Sequence, residues 1–165
     1  MSGGNVVGEG AAEMEMDERR VLILHTDGAA RGNPGPAAAG VVIERADGTT
    51  VAEGKRTLGE LTNNQAEYRA LILGLRAVAR YTPAAVRVCL DSELVVKQMA
   101  GEYRVKDEAL RLLYAEASAL ARALPSVTFT HVPRARNARA DALANAALDE
   151  AARHAREARE VHTRH

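Results

Sequence analysis

Four carboxylates stand where a carboxylate is locally awkward. Asp27 closes the apolar run Val21 to Thr26, and Asp91 closes a second run, Val86 to Leu90. Glu67 lies among Ala66, Ala70 and Leu71 on a helical period, and Asp141 opens a last amphipathic stretch. Two parallel strands that both end in Asp can present their side chains at one sheet edge, where ligand sites of open sheets tend to form. Anions gathered in this way repel each other and lose charge unless cations fill the space. Hard divalent ions with oxygen ligands are the natural complement, Mg²⁺ first, with Mn²⁺ expected to substitute. Zinc held by histidine or thiolate has no support, because Cys89 is the only cysteine and no paired-histidine spacing occurs. Each acid also has an ordinary explanation. Asp27 before Gly28 suits a turn, Asp91 and Asp141 could cap helices, and an acid in a first helical turn favours the macrodipole.

The elements that must carry these acids follow from period and punctuation. Val21 to Thr26 reads as a central strand covered on both faces, and Gly32-Asn33-Pro34-Gly35-Pro36 as turn chemistry. Strands are predicted near Ala39 to Arg45 and Val51 to Leu58, joined through the hairpin signal Asp47-Gly48. From Asn63 the apolar spacing becomes three or four, which predicts a helix to about Arg80 with Thr62 as N-cap. Val86 to Leu90 is a short strand, Ser92 caps a helix to about Ala100, and Asp107 opens a helix that Pro125 stops. A fifth strand, Val127 to Val132, precedes a helix that begins near Asp141 and frays after about Arg156. Three strands on short turns and two reached through helices give an α/β fold. Its five-stranded mixed sheet has three antiparallel strands plus two parallel ones, flanked by helices.

At 165 residues and 47% hydrophobic, the chain suits one compact domain. Residues 1 to 19 read as a disordered acidic leader, residues 20 to 156 as the domain, and residues 157 to 165 as a charged, solvated tail. No apolar run approaches the eighteen or so residues of a membrane span, and the acidic N-terminus lacks the character of a signal peptide. A cytoplasmic monomer is expected. Cys89, inside an apolar run, reads as a buried, inert thiol. A formal charge of zero gives no sign of a polyanionic partner, whose phosphates are met by Lys and Arg. The first 18 residues hold five acids and no Lys or Arg, however, leaving 22 bases against 17 acids in the rest.

Thr26-Asp27-Gly28, Gly32-Asn33-Pro34-Gly35, Thr62-Asn63-Asn64-Gln65-Ala66-Glu67, Asp91-Ser92 and Asn137-Ala138-Arg139-Ala140-Asp141 occur in that order. In order and spacing they closely resemble the type 1 ribonuclease H family, over about Val21 to Ala152. The resemblance implies a ribonuclease H-like fold. The activity it implies is that of an endoribonuclease cutting the RNA strand of RNA–DNA hybrids to 5′-phosphate and 3′-hydroxyl ends. It implies two Mg²⁺ ions held by Asp27, Glu67, Asp91 and Asp141, which can activate a water and stabilise the leaving oxygen without a protein nucleophile. Positions matching Gly28, Asn33, Asn63, Asn64 and Gln65 line the hybrid in that family, and Thr62 and Asn137 are expected to join them. The sequence departs from well-known members in two places. Gly101 to Lys106 runs straight on where they insert a basic helix, leaving Arg104 and Lys106 as modest substitutes. Where they carry a loop histidine this chain has Pro133-Arg134-Ala135-Arg136, so Arg134 and Arg136 are expected on phosphate, while His131 is expected to pack within a strand. The alternatives are a related nuclease acting on DNA, or a hybrid-binding module with a decayed site. The Asn63-Asn64 turn argues against the first and the four intact acids against the second.

Overall fold

The structure, a computed structural model, describes residues 20 to 163, so the expected leader lies outside the described residues. Five strands form one sheet in the order β3-β2-β1-β4-β5. They are β1 (Val21–Ala30), β2 (Gly35–Arg45), β3 (Thr50–Leu61), β4 (Ala85–Leu90) and β5 (Val127–His131). β1, β2 and β3 pair antiparallel, and β4 pairs parallel with both β1 and β5, as the turn and helix spacing predicts. Four helices follow the same expectation among the described residues: α1 (Asn63–Ala79), α2 (Glu93–Met99), α3 (Glu108–Arg122) and α4 (Ala138–Thr163).

One strand end departs from the reading. β1 does not stop at Asp27 but continues to Ala30, because Asp27 to Ala30 pair with Gly40 to Ala37 of β2. The turn lies beyond it, at residues 31 to 34, where Arg31 N donates to the Pro36 carbonyl at 2.8 Å. Asp27 is thus fixed within a ladder and is not a turn former.

Leu22 and Leu24 of β1 and Val86, Val88 and Leu90 of β4 all turn to one face of the sheet. They pack there with Leu71, Leu75 and Val78 of α1, and with Leu110 and Ala117 of α3. On the other face α4 lies against small residues. Ala38 meets Ala147 and Leu148, and Val42 meets Ala140 and Leu143. Gly40 sets how closely α4 approaches, since a Cβ there would come nearer the Ala140 carbonyl oxygen than the 3.0 Å that real Cβ atoms keep. α4 does not fray at Arg156 but runs to Thr163. Its residues from 151 onward are exposed, so that segment is solvated as expected, but as helix.

Candidate active site

Asp27 is 5% exposed in the middle of the β1–β2 ladder, opposite Gly40. Asp91 immediately follows β4, the parallel neighbour of β1, so the two adjacent strands bring their carboxylates together. Asp91 is not a helix cap. Ser92 takes that role, its Oγ accepting from Val95 N at 3.3 Å. Glu67 arrives from α1, which lies directly on β1 because Gly28 has no side chain. A Cβ on Gly28 would overlap the Ala66 carbonyl and the Glu67 nitrogen. One oxygen from each of Asp27, Glu67 and Asp91 lies within 4.8 Å of the other two. Asp141, in the first turn of α4, stands outside this tight trio but near enough to Asp27 to help push its carboxyl up. Its Oδ1 accepts from Asn145 Nδ2 at 3.2 Å, a contact between residues one helical turn apart.

The electrostatics are those of a site built for positive charge. Burial first, then Asp91 and Asp141, push the Asp27 carboxyl well above the carboxylate range, and Arg134 pulls it partly back. Glu67 is pushed up to about 8 by burial, then by Asp27 and Asp91, again against Arg134. Hard oxygen ligands that resist ionising together fit a divalent ion, which needs them ionised. The sign of the stability effect follows. Each raised group stabilises the metal-free fold below its unfolded value and loses that contribution as pH rises through its folded value. In chelator, the melting temperature should therefore decline from about pH 5 to about pH 8, the interval between the ordinary carboxylate range and the raised values. Mg²⁺ should raise it more at pH 8.5 than at pH 6. Calorimetric melting of the protein and of Glu67→Gln at each pH measures this, and a Mg²⁺ effect independent of pH would contradict it.

A hollow of about 440 Å³ at the start of α1 is lined by Asn33, Thr62, Asn63, Asn64 and Gln65, with Asp107 and Leu110. Asn63 N donates to Asn33 Oδ1 at 3.1 Å, which ties the turn after β1 to the start of α1. Thr62 and Gln65 form a reciprocal cap. The Thr62 hydroxyl accepts from Gln65 N at 3.2 Å, and Thr62 N donates to Gln65 Oε1 at 2.9 Å. Glu67 follows about one turn, roughly 5 Å, further along the same helix. A separate groove of about 420 Å³ between α1 and strands β2 and β3 holds none of the residues singled out from sequence.

A family model described as reverse transcriptase-like matches residues 25–147. Ribonuclease HI of Halobacterium salinarum is 51% identical over 140 residues, covering 85% of this chain and 70% of that protein. The chain belongs to the ribonuclease H family. The crystal structure of the Halobacterium enzyme superposes with a TM-score of 0.77 at 48% identity, covering 79% of this chain and 98% of that one. LC11-RNase H1, solved in complex with an RNA/DNA hybrid, gives a TM-score of 0.76 at 44% identity, with 79% of this chain and 98% of that one covered. A bifunctional protein of Mycobacterium tuberculosis is 47% identical over 135 residues, 81% of this chain. The chain spans only 37% of that relative's length.

Three expectations drawn from the ribonuclease H resemblance change with the geometry. Gly28 is buried, and the approach of α1 already requires a glycine there whatever a hybrid would contact. Asn137 is 1% exposed and turned inward, donating from Nδ2 to the Thr26 carbonyl at 2.9 Å. It belongs to the scaffold and has no surface to offer a duplex. His131 does end β5, but it is exposed and not packed into the sheet, and it lies near enough to Glu93 to help draw that carboxyl down. Arg134 and Arg136 are exposed on a 3-10 turn, Arg134–Asn137. Arg134 is close enough to Asp27 and Glu67 to act on both. Cys89 is only half-buried, and burial pushes its thiol up, which keeps it unreactive. Sequence reasoning missed Asn145, although its i,i+4 spacing from Asp141 could have found it.

Proposed function

We propose that this chain is an endoribonuclease that hydrolyses the RNA strand of RNA–DNA hybrids, with residues 20 to 156 as the catalytic unit. The observation that carries the reading is the convergence of three carboxylates, one of them on the helix whose first residues line the asparagine hollow. Asp27, Glu67 and Asp91 would hold the divalent ions, two Mg²⁺ in the working assignment, with Asp141 completing the set from α4. Bound there, such ions supply positive charge and Lewis acidity at the scissile phosphate.

The protein's own groups position the strand. Asn33, Asn63 and Asn64 present small polar groups to a minor groove, where RNA displays its 2′-hydroxyls. Thr62 and Gln65 shape that surface through the cap that fixes the turn. Arg134, already facing the carboxylates, and Arg136 meet backbone phosphates. No helix among the described residues is long and apolar enough to cross a membrane. A monomer working in the cytoplasm is the form assigned to it here.

Cleavage of a labelled hybrid, beside single-stranded RNA, duplex DNA and duplex RNA, each with Mg²⁺ and with chelator, tests the reading. Only the hybrid with Mg²⁺ should be cut, to 5′-phosphate and 3′-hydroxyl ends. A duplex with one embedded ribonucleotide lacks neighbouring 2′-hydroxyls, each hydrogen bond to which is worth about 0.5–1.5 kcal/mol. It should be cut about tenfold more slowly or worse, since two such losses suffice for that factor. Equal rates at matched salt would refute recognition through consecutive 2′-hydroxyls.

A further inference from the structure

His25 lies two residues before Asp27 on β1, and nothing in the acid cluster calls for it. Its side chain is only 14% exposed. Nδ1 is 3.3 Å from Asn137 Oδ1, while Nε2 is 3.7 Å from Glu44 Oε2 of β2. Asn137 in turn reaches the Thr26 carbonyl through Nδ2. The Thr26 oxygen can only accept, so the amide nitrogen must face it and the amide oxygen must face the ring. That oxygen also can only accept, and His25 Nδ1 must therefore carry the proton. The bonding alone fixes the amide orientation and the proton on Nδ1.

This chain of contacts ends where the site is completed. Asn137 closes the 3-10 turn that bears Arg134, and it immediately precedes α4, whose first turn bears Asp141. That helix end is also held by the approach of Ala140 to Gly40 and by Arg139, whose Nε donates to Glu53 Oε2 of β3 at 2.9 Å, contacts that fasten α4 to the sheet without touching the Asn137 amide. A donor on Asn137 Oδ1 keeps the amide turned so that Nδ2 faces the Thr26 carbonyl, and so adds to what sets the angle at which the turn and α4 leave the sheet.

We propose that His25 is a positioning residue. Through its Nδ1 donor to Asn137 it aligns Asp141 and Arg134 with Asp27. The inference rests on the nuclease reading of the site. Outer-shell partners of this kind are typically worth about 10- to 100-fold in metal affinity or activity.

The test exploits the two ring nitrogens separately. Asparagine places its amide N–H where Nδ1 stands, and glutamine places its own where Nε2 stands, and both are polar replacements that the half-open sheet face accommodates. His25→Asn should keep the single-turnover rate on hybrid and the calorimetric affinity for Mg²⁺. His25→Gln should lose about tenfold or more in the rate and bind Mg²⁺ more weakly, in line with other outer-shell substitutions. Equal behaviour of the two variants, whether both are intact or both impaired, would overturn the proposal. An effect on melting temperature alone would also overturn it. The unaltered protein serves as control, because its failure to cut hybrid would strike the nuclease reading and not this one.

Discussion

Asp27→Asn should leave a folded protein whose hybrid cleavage is slower by about 10²-fold or more. Removing a single neutral donor from a site of developing charge already costs about 10²–10³. Here the change removes a formal charge from the centre of the ligand set. Asn matches Asp in shape, so the β1–β2 ladder that holds position 27 against Gly40 is undisturbed. Stability in chelator should not fall, because burial and two neighbouring carboxylates already oppose ionisation of this group. At pH 8 the variant should melt at or above the temperature of the unaltered protein, while the stabilisation by Mg²⁺ shrinks. Calorimetry and single-turnover cleavage on the same samples separate the two effects. Near-normal turnover in the variant would remove Asp27 from the site.

Gly28→Ala is expected to cost both stability and cleavage. The added carbon would stand inside the Ala66 carbonyl and against the Glu67 nitrogen, both backbone atoms that cannot swing aside. α1 must then lift from β1, taking Glu67 with it. Overpacking of this sort costs about 1–3 kcal/mol, or a fall in melting temperature of about 3–10 °C for a domain of this size. Cleavage should drop further than stability, since a displacement near 1 Å at a positioned group can cost about 10²-fold. Gly54→Ala is the matched control, for nothing lies within 4 Å of the Cβ it would add on exposed β3. A Gly28→Ala protein as stable and active as Gly54→Ala would mean that α1 can approach β1 in some other way.

Local chemistry made much of the fold legible. Thr62, Ser92 and Asp107 each cap the helix they were expected to cap, and Asp47-Gly48 joins β2 to β3. The extension of β1 through Gly28-Ala29-Ala30 was not legible, since small residues carry no strand signal and only pairing with β2 makes them one. The end of α4 was misread for the opposite reason. The apolar period stops at Leu148, yet Ala, Arg and Glu remain good helix formers, and Arg153 with Glu157 adds an i,i+4 pair at 3.9 Å.

In the site, the resemblance marked which residues matter without saying why. The positions of Gly28 and Asn137 turn out to serve packing and hydrogen bonding within the protein. His25 had no sequence signal at all, because its partner Asn137 is 112 residues away. Contacts of that separation belong to the tertiary structure and leave no trace in local period or spacing.

The order in which the chain delivers its acids also has a temporal side. Asp27, Glu67 and Asp91 all lie in the first 91 residues, on a hairpin, a helix and a strand that meet through comparatively local pairings. Asp141 comes last, on a helix fastened to β1 through a bond that spans 111 residues. Contacts of long separation require the largest loop closure and tend to form late. A ribosome-bound chain that has emerged only as far as β5 therefore holds the acidic trio but lacks both Asp141 and its fastening. Completion of the carboxylate set then coincides with docking of the final helix, so that on the proposed reading the protein can act only after synthesis of the domain is done.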